Sequence, residues 1–159
     1  MEQDKKLRSA RNNAYCLLRS RPRSEAEIRG RLKLKRYDGP TIDAVIESLK
    51  KAALIDDVKF ADLWVESRMH LNPAGNVVLR RELEAKGVSD PIIEAALRKK
   101  DRDYDEYAIA INMAGERFKR LVKLDRRKAL KRLYDYLLRR GFDYDIVKRV
   151  IDAVMNENG

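Results

Sequence analysis

His70 and Cys16 are the single histidine and single cysteine among the 159 residues. His70 precedes Asn72-Pro73 near a predicted helix end, where an imidazole complements the helix dipole. Cys16 falls on or beside the apolar stripe of the first predicted helix and, with no histidine near it in sequence, reads as a small core hydrophobe. One of each does not complete a structural zinc site. No G-x-x-x-x-G-K-[ST] or G-x-G-x-x-G run is present, so no phosphate-cradling loop is expected. Asp101-Arg102-Asp103-Tyr104-Asp105 opens like a calcium loop. However, Glu106 stands where glycine is needed, and Asn112 where the closing glutamate is needed. These carboxylates are expected instead at the start of a long helix, favouring its dipole. Asp56-Asp57 has only Asp62 as a further carboxylate at helical spacing and reads as a helix start capped by Asp57. No catalytic group, metal site or cofactor is expected, and the chain does not read as an enzyme.

Binding chemistry is better represented. The formal charge is +10, with 36 basic residues against 26 acidic ones. Residues 19–36 carry +6 and residues 117–140 carry +9, so two short segments hold more than the whole surplus. Each block reads either as a solvated helix face or as a surface for an anionic partner, since like-charge clustering is destabilising unless a partner relieves it. The first segment offers Arg19, Arg21, Arg23, Arg29, Lys33 and Arg36 as candidate DNA- or partner-binding residues. The second offers Arg117, Lys119, Arg120, Lys123, Arg126, Arg127, Lys128, Arg132, Tyr136, Arg139 and Arg140. Arg29, Lys33 and Arg36 share one helical stripe; Lys128, Arg132, Tyr136 and Arg139 share another. A basic stripe with an aromatic residue can track a single strand. Tyr136 has an equally ordinary role, with its ring packed on a neighbour and its hydroxyl in water. A major-groove reader needs Arg, Lys, Asn or Gln at the start of its recognition helix. The corresponding starts are Thr41-Ile42-Asp43, Asp90-Pro91-Ile92 and Asp143-Tyr144-Asp145, whose carboxylates would face phosphates. Non-specific contact with single-stranded DNA is therefore the nucleic-acid reading.

The elements that must position these groups are helical. Gly and Pro together number only 11, too few for the frequent turns of a β-sandwich. Apolar runs such as Ala52 to Ile55 are only a few residues long, against the roughly 20 that cross a bilayer. The N-terminus, Met1 to Lys6, is charged with no apolar segment behind it, and the lone cysteine suits a reducing compartment. A monomeric cytoplasmic protein with no membrane partner is expected. Apolar residues recur at helical spacing almost throughout. Leu7, Ala10, Ala14, Leu17 and Leu18 form the first stripe. Ser24 with Glu27 makes a capping box. Phe60, Ala61, Trp64 and Val65 are core candidates. Tyr107, Ile111, Ala114, Phe118, Leu121 and Val122 are expected on one long helix, and Gly87 and Gly141 at helix ends. Asp90 is expected to cap a helix that has Pro91 at its first position. The tail Asn156-Glu157-Asn158-Gly159 is expected to fray.

These helices repeat. Leu32, Leu83 and Leu137 occupy one column, preceded by four residues by Ile28, Leu79 and Leu133. They are followed by five by Tyr37, Val88 and Phe142. The fold class is all-α: three tandem three-helix, helix-turn-helix-like repeats over 1–54, 55–101 and 102–159. Stacking of these repeats predicts an elongated, curved array.

The run from Ala53 to Ala61 (ALIDDVKFA) resembles the G-L-[IL]-D-D-x-x-[FY]-A segment of the RecX family. Arg68, Gly75 and Leu79-Arg80-Arg81-Glu82-Leu83-Glu84-Ala85-Lys86-Gly87-Val88 continue the likeness, and Arg23-Ser24-Glu25-Ala26-Glu27-Ile28 resembles its R-S-x-x-E-L. The motif residues are thus Asp56, Asp57, Phe60, Arg68, Gly75, Glu82, Leu83, Lys86 and Gly87. Ala53 departs from the usual Gly, Arg36-Tyr37 stands where Lys-Gly is expected, and Val77-Val78 replaces positions that are often basic. The departure at Val77-Val78 shifts any positive contact surface toward the second and eighth helices. The resemblance implies a regulator that binds the RecA recombinase filament on single-stranded DNA. It would restrain strand exchange, ATP hydrolysis and co-protease activity by groove blocking, filament destabilisation or end capping. The alternative is a stand-alone, non-specific DNA-binding protein.

Overall fold

A computed structural model describes residues 1–157, and every regular element among them is an α-helix. The helices are α1 (Glu2–Ser20), α2 (Glu25–Leu34), α3 (Gly39–Lys51), α4 (Asp57–Leu71) and α5 (Asn76–Ala85). They continue as α6 (Asp90–Asp103), α7 (Glu106–Lys119), α8 (Arg126–Arg139) and α9 (Tyr144–Glu157). None is long and apolar enough to cross a membrane.

The same C-terminal cap closes α2, α5 and α8. The amides of Tyr37, Val88 and Phe142 donate to the carbonyls of Leu32, Leu83 and Leu137 at 3.2, 3.1 and 3.3 Å. The residue between each pair that takes the left-handed turn is Arg36 (φ 65°), Gly87 (φ 73°) or Gly141 (φ 89°). Only glycine adopts this conformation without steric cost, so Arg36 carries roughly 1–2 kcal/mol of local strain. Ala53, after α3, does the same at φ 55°, and there the Leu54 amide donates to the Leu49 carbonyl at 2.8 Å. The repeat is therefore written in the backbone as well as in the buried leucines.

The chain divides into two compact units: Met1–Trp64 with Leu83–Ile93, and Val65–Glu82 with the chain from Glu94 onward. In the first, α1, α2 and α3 enclose Ala10, Ala14, Ile28, Leu32, Val45, Ile46 and Leu49. Truncating one such buried aliphatic side chain to Ala costs about 2–5 kcal/mol. Ser24 completes the capping box with Glu27, and its buried hydroxyl also donates to the Lys86 carbonyl at 2.5 Å. In the second unit, Ala110, Ala114, Leu121, Ala129, Leu133, Leu137, Phe142, Val147 and Val150 form the core.

Several local expectations change, the first being Cys16, which is exposed and not in the core. Asp56, not Asp57, caps α4: its carboxylate accepts from the Val58 and Lys59 amides at 3.0 and 3.2 Å. Asp57 instead accepts from the Glu25 amide at 2.9 Å, satisfying an orphan donor in the first turn of α2. Asp90 is the first residue of α6 rather than its cap; the Ser89 carbonyl receives the Ile93 amide. Asp101 and Asp103 lie in the last turn of α6, and only Asp105 caps α7, accepting from Ala108. The α7 helix stops at Lys119, which leaves Val122 in the following turn and 68% exposed. Asn156 and Glu157 are helical; Asn158 and Gly159 lie outside the described residues.

Candidate nucleic-acid and partner interface

Among the described residues there is no group of three His, Cys, Asp or Glu that could hold a metal ion. The candidate site is therefore a matter of which cations remain available. In the first basic segment, much of the charge is already paired. Arg21 donates to both oxygens of Glu27, at 2.7 and 3.3 Å, and Lys86 reaches the same carboxylate at 3.2 Å. Burial pushes Glu27 up, but hydrogen bonds from Arg21, the Ser24 amide and Lys86 outweigh it and hold the carboxyl down to about 2. Arg29 bridges Glu25 at 2.9 Å and Asp43 at 2.7 Å. Arg23 donates to the Ser20 hydroxyl at 3.2 Å. Arg29, Lys33 and Arg36 were expected to act as one stripe; Arg29 is neutralised within the fold, leaving Lys33 and Arg36 exposed. Arg19 is exposed at the end of α1.

The second segment is arranged differently. Its carboxylates are few, and Asp125 is occupied as the α8 cap, accepting from the Lys128 amide. Arg127, Lys128, Arg132 and Arg139 are exposed on α8 and make no ion pair among the described residues. Arg120 and Lys123 lie exposed in the turn before it. Lys131, which no stripe singled out, is exposed beside Arg132 and belongs to the same basic surface; a net count along α8 would have found it. Tyr136 is half-buried against the core, with the Arg117 guanidinium 5.1 Å from its ring centroid. It packs on neighbours and is not a free stacking platform. Lys119 pairs with Glu116 at 2.9 Å, and Arg126 donates to the Met155 carbonyl at 2.7 Å. Arg140 is a clamp: it donates to the Asn72 and Pro73 carbonyls, pinning the loop between α4 and α5.

The motif residues serve the fold. Phe60 is buried and stacks on Trp64 at 6.0 Å between centroids. Arg68 joins Glu82 at 3.0 Å and the Asn72 carbonyl at 2.7 Å. A Cβ on Gly75 would stand 2.2 Å from the Gly141 carbonyl oxygen, and one on Gly87 would meet the Ala26 Cβ at 2.3 Å. Leu83 is fully buried. Lys86 lies 5.2 Å from the Trp64 ring centroid while pairing with Glu27. These residues hold α4, α5 and their neighbours in place.

A buried lysine escaped the sequence reading altogether. Lys100 Nζ has no solvent exposure and contacts Asn76 Oδ1 at 2.6 Å, Asp101 at 3.2 Å and Glu106 at 3.4 Å. Burial pushes the Glu106 carboxyl above its ordinary range, opposed by the Lys100 ammonium. Lysine in sequence signals a surface position, so no local pattern identifies this one.

Family models for the first, second and third three-helix domains of RecX match residues 10–49, 56–97 and 103–151. The chain is 38% identical over 152 residues to "Regulatory protein RecX" of Prosthecochloris aestuarii, covering 96% of this chain and 97% of that protein. It is 36% identical over 141 residues to the protein of the same name from Chlorobium phaeobacteroides, covering 89% and 90% respectively. The crystal structure of RecX from Lactobacillus salivarius has the same fold, with a TM-score of 0.83 at 24% identity. That alignment covers 94% of this chain and 97% of that one.

Proposed function

The chain belongs to the RecX family of regulatory proteins, and from that premise we propose that it binds a RecA-type recombinase filament on single-stranded DNA and restrains it. The observation that carries the reading is the exposed basic face of α8, where Lys128, Arg132 and Arg139 make no ion pair among the described residues. Cations with no internal carboxylate partner keep their full attraction for phosphates, and neutralising phosphates releases counterions from the strand. That face supplies the DNA contact. The protein acts by binding and not by catalysis, so inhibition follows from occupying the filament. The three-helix repeats 1–54, 55–101 and 102–159 are the binding modules.

The test is an ATPase assay of the recombinase on single-stranded DNA with increasing amounts of this protein. Inhibition at or below molar parity is expected, and Arg132→Glu with Arg139→Glu should relieve it. No inhibition at parity overturns the proposal. The same basic face also favours a second reading, a stand-alone DNA-binding protein. In that case the oligonucleotide is bound tightly in low salt while the recombinase is left unaffected.

A further inference from the structure

A second charged surface lies on the first compact unit. Along α2, Arg31 is exposed and makes no ion pair among the described residues. The loop before α2 brings Arg21 and Arg23 to the same groove, and Lys86, past the end of α5, closes its other side. Against these four cations the groove holds one carboxylate, Glu27. The Nε of Arg23 is buried and has no hydrogen-bond partner. Gly30 leaves the groove open, with nothing within 4 Å of where a Cβ would stand. Leu34 rises from the groove 78% exposed. An aliphatic side chain so exposed gains when covered, at roughly 25 cal/mol per Å² of apolar surface.

Two anionic occupants are conceivable, and the chemistry separates them. A single strand is held by cations together with aromatic platforms for its bases. This groove has no aromatic lining, and its one carboxylate would face the phosphates. An acidic peptide suits it better. Carboxylates meet Arg23, Arg31 and Lys86, backbone amides can face Glu27, and an aliphatic side chain covers Leu34. We propose that this groove is a docking site for an acidic peptide segment carrying one aliphatic residue. The proposal rests on the reading above only for the owner of that segment, a protein of the filament.

Trp64 is the single tryptophan and reports on the groove, because Lys86 lies over its ring while pairing with Glu27. The experiment is a fluorescence titration of the full chain with a short synthetic peptide of glutamates flanking one leucine. A lysine-flanked peptide and an oligothymidine serve as the other arms. A saturable change in Trp64 emission is expected with the acidic peptide alone, weakened about tenfold by Arg31→Glu and severalfold by Leu34→Asp. Both substitutions are at exposed positions, and circular dichroism checks that the fold is retained. The proposal is overturned if the acidic peptide gives no saturable change, or if neither substitution weakens it. It is also overturned if oligothymidine displaces the peptide in a manner that Arg31→Glu abolishes. Filament inhibition by the unmodified protein is measured separately, so failure of the regulatory reading and failure of the groove are told apart.

Discussion

The two basic segments look alike in composition and differ in what their charges do. Residues 19–36 contain Glu25 and Glu27, and α3 adds Asp43, so Arg21 and Arg29 are held by carboxylates within their own unit. On α8, Arg127, Lys128, Arg132 and Arg139 are exposed and make no ion pair among the described residues. Counting charge in a segment therefore misjudges the charge a partner can feel. An arginine between two carboxylates is part of the scaffold, and only an unpaired one has its field available. Within the second segment the same distinction separates Arg139, which is exposed, from Arg140, which is folded onto the Asn72-Pro73 loop.

The comparison can be broken experimentally. Reversing Arg132 and Arg139 to Glu should lower single-stranded DNA affinity about 100-fold at low salt while leaving the melting temperature within a degree or two. Arg29→Glu should do the opposite, lowering stability by about 1 kcal/mol with little change in DNA affinity, since it sets three carboxylates together. Equal losses of affinity in the two variants would erase the distinction. Arg140→Ala should cost about 1–3 kcal/mol in chemical denaturation, because loop carbonyls lose their donor. Its effect on DNA affinity should be small.

A pH profile sharpens the account of the first segment. Its hydrogen-bond partners hold the Glu27 carboxyl far below its ordinary value of 4.5, at about 2. A carboxylate depressed in this way stabilises the fold above its unfolded pKa, and that stabilisation disappears as pH falls through the folded value. The drop in stability between about pH 5 and pH 2 should thus be shallower in Glu27→Gln than in the unmodified protein. Identical profiles would show that the Arg21–Glu27–Lys86 cluster contributes nothing measurable. The smallest effect concerns the caps: Arg36→Gly and Ala53→Gly should each raise stability by up to about 1 kcal/mol, by relieving a left-handed residue.

Most of the fold was legible because it is local. The Ser24–Glu27 box, the Asp125 cap and the leucine column at 32, 83 and 137 are all set within a few residues of chain. The leucine column sets Arg36 level with Gly87 and Gly141, but the family likeness placed the missing glycine one residue later, at Tyr37. The site was legible only as a net charge. Arg29 meets Asp43 fourteen residues away, and Arg140 meets Asn72 sixty-eight residues away. Neither distance has a sequence period. Asp57 was misread for the same reason: its partner is the Glu25 amide on another helix, whereas Asp56 makes the local cap. Lys100 was invisible because burial of a charge depends on what folds over it.

The central claim is that α8, and not the first basic segment, supplies the electrostatic contact with the DNA of the filament. The most direct test is the salt dependence of single-stranded oligonucleotide affinity for the unmodified protein and two double-neutral variants. Arg132→Gln with Arg139→Gln should reduce the slope of log affinity against log salt by about 1.4, from roughly 0.7 for each contact removed. Arg21→Gln with Arg29→Gln should leave the slope unchanged. A reduced slope in the second variant and an intact slope in the first would contradict the claim.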